Sequence, residues 1–173
     1  DLAERNGKLV AQVSVTGGEF GVLPENFERL ITSFVHLIRN IVDHGIETPA
    51  ERELAGKDRY GAVSIVIKRL EAGISIRFQD DGRGIRPEDL ESKARALGLI
   101  ADGDKPDRDK LFGFLLNPGL STAKEVTMLS GRGAGLPAVN DAVVSYGGTI
   151  TIVSTPGKGT GFDIFIPTKK DRK

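Results

Sequence analysis

The chain contains no cysteine. That excludes a disulfide framework, a thiolate zinc or iron–sulfur centre and a thiol nucleophile. No apolar run approaches the ~20 residues of a membrane-spanning helix, and no secretory leader is read at the start. Membrane insertion is therefore not expected, and a cytoplasmic location is. An excess of charge of either sign is also missing, since 24 Lys and Arg balance 24 Asp and Glu. A broad basic face for nucleic acid is not expected. There is no internal repeat and no long low-complexity segment. No Gly-x-x-x-x-Gly-Lys-Ser/Thr occurs either, which removes P-loop nucleotide binding. What is abundant is glycine, 22 of 173 residues, against an average of about 7%.

The length fits one domain. Apolar residues at 39% suffice for a core that buries about 70% of the unfolded surface. The start at Asp1 and the polar end Lys169 to Lys173 read as one domain, residues 1–173, excised from a longer protein, with its core over about 9–168. Leu9 to Val15 reads as an edge strand ended by Thr16-Gly17-Gly18, followed by a long helix from about Pro24 to His44 that exits at Gly45. Thr48-Pro49-Ala50-Glu51 is a capping box opening a short helix that Gly56 stops. Ala62 to Arg69 and Gly73 to Gln79 form a hairpin, in which Ile74, Ile76 and Phe78 alternate with Ser75 and Arg77. Helices are expected over Pro87 to Leu97 and Leu136 to Tyr146, with a helical turn or two within Lys110 to Leu116. A last hairpin joins Thr149 to Ser154 with Thr160 to Pro167. The mixture is not strict βαβ alternation, so the expectation is an α+β fold, one mixed sheet with helices on one face.

Four segments carry chemistry. On the long helix, Phe27, Leu30, Ile31, Phe34, Ile38 and Ile41 share one face at about 100° per residue. His36, Asn40, Asp43 and His44 share the other; a solvated polar face is the plain reading, but two imidazoles, an amide and a carboxylate suit metal and phosphate better than solubility. Gln79-Asp80-Asp81-Gly82-Arg83-Gly84-Ile85 follows a strand. A carboxylate there can accept from an exocyclic amine, and the glycines let backbone approach a flat ring, although Asp-Gly is also an ordinary turn. Gly131-Arg132-Gly133-Ala134-Gly135-Leu136 opens a helix and exposes N–H groups to an anion. Thr155-Pro156-Gly157-Lys158-Gly159-Thr160-Gly161-Phe162 is a hairpin loop that gains weight from its order after the other three.

In this order the segments resemble the ATP-binding catalytic domain of chemotaxis-type histidine kinases, within the gyrase, heat-shock, histidine-kinase and mismatch-repair ATPase superfamily. HLIRNIVDHGIE is similar to the N-box, QDDGRGI and SGRGAGL to the two glycine boxes, LFGFLLNPGLST to the F-box and start of the lid, and GKGTGF to the last box. The resemblance spans about Val10 to Pro167 and implies a two-layer α/β sandwich (the Bergerat-type fold) with a mobile nucleotide lid over about 101–130. It implies that His36, Asn40 and His44 are catalytic, with Asn40 coordinating Mg²⁺ and His36 and His44 near the phosphates or metal, and that Asp43 binds the nucleotide. It implies that Asp80 accepts from the adenine amine, beside Gly82, Gly84 and Ile85. Gly131, Gly133, Gly135 and Leu136 are implied as the phosphate cradle, Thr160 as support for the adenine end, and Lys124 and Arg132 as lid cations for phosphate. Leu120 stands where the family usually has Phe, and Leu136-Pro137 where it usually has Met-Asp.

The activity so implied is supply of the γ-phosphoryl group of Mg·ATP to a histidine on a separate phosphoacceptor domain, in cis or in trans. A downstream response regulator and dimerisation through segments outside this chain complete the implied two-component pathway. One alternative is an ATPase-type conformational switch, against which stands the absence of a water-activating glutamate from the polar stripe. Another is a degenerate nucleotide sensor or scaffold, against which stand Asn40, Asp80 and the glycine boxes.

Overall fold

A computed structural model describes residues 7–19, 27–117 and 135–167. Five strands form one sheet in the order β1-β2-β3-β5-β4: β1 Ser14–Gly17, β2 Val63–Leu70, β3 Gly73–Asp80, β4 Thr149–Thr155 and β5 Gly159–Pro167. Only the β1/β2 pair is parallel; the other three are antiparallel. Five α-helices accompany them among the described residues: α1 Glu28–Asn40, α2 Pro49–Leu54, α3 Pro87–Ala96, α4 Arg108–Phe114 and α5 Leu136–Ser145.

Parity along the strands places the core. On β3, Ile74, Ile76 and Phe78 are buried while Arg77 is exposed. They face Ile166, Ile164 and Phe162 of β5, which in turn face Ile150 and Ile152 of β4. Helices α1, α4 and α5 cover this face, with Phe34 of α1 against Phe78 at 5.0 Å between ring centroids and Leu111, Phe112, Val139 and Val143 buried. The opposite face carries the exposed Arg77–Asp163 pair. A side chain at position 80 on β3, 154 on β4 or 160 on β5 keeps the core-facing parity. The polar Asp80, Ser154 and Thr160 thus sit buried at one end of an otherwise apolar face.

Several expectations need correction. The edge strand lies at Ser14–Gly17, later than Leu9 to Val15, with only a single bridge at Val10–Gly61 before it. The buried stripe of α1 runs through Leu30, Ser33, Leu37 and Ile41, and Ile31 is 52% exposed. Helix α1 packs against α5 as well as the sheet, which draws the stripe round to Ser33, whose hydroxyl donates to Leu30 O at 2.7 Å. The long helix does not stay α-helical to His44: Ile41–Gly45 is a π-helical turn, closed by Ile46 N–H to Ile41 O at 3.0 Å. Within the stretch 101–130, α4 is a regular helix with an Asp107 cap on Lys110 N–H and two core residues. Residues 118–130 and Pro24 lie outside the described residues. The capping box at Thr48 forms as expected.

Candidate functional site

A cavity of about 350 Å³ opens where the C-terminal end of α1, the ends of β3 and β5, helix α3 and the start of α5 converge. Such a volume suits a small-molecule ligand. Asn40, His44, Asp80, Gly84, Ile85, Gly135, Leu136 and Thr160 line it. The fold thus gathers eight of the expected residues from four separated segments. Sequence reasoning missed Ile41, Gly45, Leu90, Lys93, Leu115, Pro137 and Phe162 in the lining. For Phe162 the parity of β5 was an available signal; for Leu90 and Lys93 no local pattern marked them.

At the end of β3, Asp80 is 3% exposed. Its Oδ1 accepts from the N–H of Gly82 at 2.8 Å and of Thr160 at 3.1 Å. Its Oδ2 is buried without a hydrogen-bond partner among the described residues. Burial pushes the carboxyl up to about 6, with the two N–H donors pulling it down and the Asp81 and Glu47 charges pushing it further up. Gly82 is required by close approach, because a Cβ there would stand 2.2 Å from Gly45 O. Gly84 has φ +66°, and its Cβ would stand 2.2 Å from Thr155 O; only glycine fits both demands. Ser154, missed by the sequence reading, accepts from Ile85 N–H at 2.8 Å and lies 2.9 Å from Thr160 Oγ1. It ties the chain after the glycine turn to the β4–β5 hairpin.

At the opposite end stands the π-helical turn. A π turn inserts one residue relative to an α-turn and occurs often at functional sites. The polar stripe divides between two hollows. Asn40 and His44 line the cavity, whereas His36 lines a neighbouring groove between α1 and α5 with Ser33 and Asp141. Asp43 lies between, outside both linings, and its carbonyl accepts from Lys8 Nζ at 2.5 Å. Lys8 also donates to Val42 O at 2.8 Å, so a buried ammonium closes carbonyls at the helix end. Burial pushes the Lys8 amine below its usual range. Gly82 touches Asp80 directly but does not line the cavity. Lys124, Gly131, Arg132 and Gly133 lie outside the described residues.

The orphaned Asp80 Oδ2 is an acceptor aimed at nothing the described residues supply. It fits an amine-bearing ring. Among the described residues no group of three His, Cys, Asp or Glu side chains could hold a metal. A hard cation would therefore take one oxygen from Asn40 and the rest from phosphate and water, the usual arrangement for magnesium.

Fold and site together define an ATPase-type nucleotide-binding domain. The family described as histidine kinase-, DNA gyrase B- and HSP90-like ATPase matches residues 29–170, and the chain belongs to it. Among its relatives are the chemotaxis protein CheA of Cereibacter sphaeroides, 44% identical over 169 residues, and that of Halobacterium salinarum, 42% identical over 170. Each alignment covers 96% of this chain and 24% or 25% of the relative, so the chain spans about a quarter of those proteins. The fold is that of the Erythrobacter litoralis EL346 blue-light activated histidine kinase, with a TM-score of 0.57 and 18% identity over 96% of this chain and 38% of that one. The catalytic domain of histidine kinase ThkA gives 0.54 and 12% over 96% and 81%.

Proposed function

We propose that this chain binds Mg·ATP and, within a longer chemotaxis-type histidine kinase, supplies the γ-phosphoryl group to a histidine on a separate domain. The observation that carries the reading is the buried, half-satisfied carboxylate of Asp80. An orphaned buried acceptor costs about 1–3 kcal/mol, and an adenine amine donating to Oδ2 would offset that cost. A guanine would present a carbonyl to the same atom and be repelled.

In this reading Gly82 and Gly84 let the turn pack against Gly45 O and Thr155 O and so fix Asp80 beside the ring, while Ser154 and Thr160 hold the turn against the β4–β5 hairpin. The phosphates extend toward Asn40, His44 and the start of α5, where the N–H of Leu136 is the one on offer, since Pro137 has none and Ala138 N–H already donates to Gly135 O at 3.0 Å. Asn40 holds Mg²⁺, which supplies charge neutralisation on phosphate oxygens. Phosphoryl transfer needs positioning and electrostatic stabilisation more than covalent help. A neutral imidazole nitrogen on the acceptor domain is already nucleophilic, so a strong base is not required of this chain. His44 beside Asn40, and His36 one turn earlier in the adjoining groove, act on charge and orientation rather than as acceptors. Lys124, Arg132 and glycines 131 and 133 complete the phosphate cradle. CheA relatives matching 96% of this chain support a response regulator downstream and a location in the cytoplasm. Among the described residues no helix is long and apolar enough to cross a membrane.

Calorimetric titration with Mg·ADP tests the reading. One saturable site is expected, weakened by EDTA and by Asn40→Ala. Absence of binding heat at several temperatures would contradict it.

A further inference from the structure

Behind the cavity a polar bridge links the end of the Asn40-bearing helix to the glycine turn. Glu47, just past the π-helical turn, accepts from Arg52 Nη1 at 3.1 Å and from Lys57 Nζ at 2.7 Å. Arg52 is 0% exposed. It forks onto the Asp81 carboxylate, Nη1 to Oδ1 at 3.2 Å and Nη2 to Oδ2 at 2.8 Å, and its Nε donates to Asp58 O at 2.6 Å. Lys57 Nζ donates to the backbone carbonyls of Asp81 at 2.9 Å and Gly82 at 2.7 Å. Two cations meet two carboxylates, and none of the four lines the cavity.

Buried ionic clusters contribute little net stability, because desolvation offsets attraction. What this one fixes is a peptide plane. In a trans peptide the carbonyl of Asp81 and the N–H of Gly82 point in opposite directions. Lys57 grips that carbonyl from one side, and the N–H meets Asp80 Oδ1 on the other at 2.8 Å. With the plane held, Oδ1 stays engaged and Oδ2 remains the oxygen left over.

We infer that Lys57 and Arg52 are positioning residues for purine selection: they lock the Asp81–Gly82 peptide so that Asp80 offers one fixed acceptor to the base. The inference rests on the nucleotide reading above. A locked acceptor rewards an amine and rejects a carbonyl at the same ring position. A loosened turn lets the carboxylate swing and weakens that choice.

The test is Lys57→Met in the 173-residue chain, with Arg59→Met as a control, since Arg59 pairs only loosely with Glu53 at 3.9 Å outside the bridge. Affinities for Mg·ATP and Mg·ITP are measured by calorimetry beside the melting temperature. Lys57→Met should weaken ATP about tenfold and ITP by less than about threefold, shrinking the preference for the amine. Arg59→Met should change neither. Glu47→Gln, which keeps the side-chain shape, should give the same signature at smaller size and serves if Lys57→Met does not fold. An unchanged ATP-to-ITP ratio in both variants, whether affinities hold or fall together with melting temperature, would overturn the inference. A wild-type chain that binds neither nucleotide overturns the nucleotide reading itself, and this inference with it.

Discussion

Replacing Asp80 by Asn should strengthen the fold while disabling the site. The folded carboxyl titrates at about 6, against 3.8 for an ordinary aspartate. At 1.36 kcal/mol per pKa unit, keeping it ionised at neutral pH costs the fold about 3 kcal/mol. The sign follows from proton binding. The folded chain holds this proton more tightly than the unfolded chain, so the group's contribution improves as pH falls through about 6 and levels off below about 4. Asn carries no charge, and its oxygen can still accept from the N–H groups of Gly82 and Thr160. Its NH₂, placed where Oδ2 stands, lacks an acceptor and returns about 1 kcal/mol of the gain. The net expectation at pH 7.5 is about 2 kcal/mol of stabilisation, or about 4–8 °C in melting temperature for a chain of this size. At pH 4 the gain should vanish. Mg·ADP affinity should fall by about thirtyfold or more, because a donor would then face the adenine amine. Thermal unfolding of both proteins at pH 7.5, 5 and 4 decides the matter. A less stable Asp80→Asn chain at pH 7.5, or a difference that ignores pH, would refute the reasoning.

Other outcomes follow from the same geometry. Gly84→Ala should cost about 2 kcal/mol or more in urea unfolding, from left-handed strain and the 2.2 Å approach to Thr155 O, and should weaken nucleotide binding with it. Thr48→Ala removes the capping box of α2 and should cost about 1 kcal/mol while leaving Mg·ADP affinity unchanged, since Thr48 does not line the cavity. Incubation with γ-labelled ATP should leave the chain unlabelled, because its two histidines line the proposed nucleotide cavity and the groove beside it; stable label on His36 or His44 would contradict that.

Much of the site was legible because it follows from strand parity and local turn chemistry. Once Ile74, Ile76 and Phe78 mark the core side of β3, Asp80 must fall on the same side at the strand end. The Thr48 cap and the stop at Gly56 were likewise local, the glycine taking a positive φ. What stayed hidden depends on packing between distant segments. The π-helical turn has no composition signature, and the separation of Asn40 and His44, in the cavity, from His36, in the groove beside α5, is set by which elements pack around each. Arg52 reads as a surface residue of a short helix, and only the arrival of Glu47 and Asp81 makes its burial tolerable. Leu111 and Phe112 fell in a charged, glycine-containing stretch, where their contact with the sheet could not be seen from neighbours in sequence.

The central claim is that a strand-end acid and a helix-end amide serve opposite ends of one nucleotide. A crystal structure of the chain with Mg²⁺ and a non-hydrolysable ATP analogue tests it most directly. The account predicts the purine amine within hydrogen-bond reach of Asp80 Oδ2 and the Asn40 oxygen on the metal ion. A purine seated elsewhere, or an Asn40 side chain turned away from the ion, would contradict it.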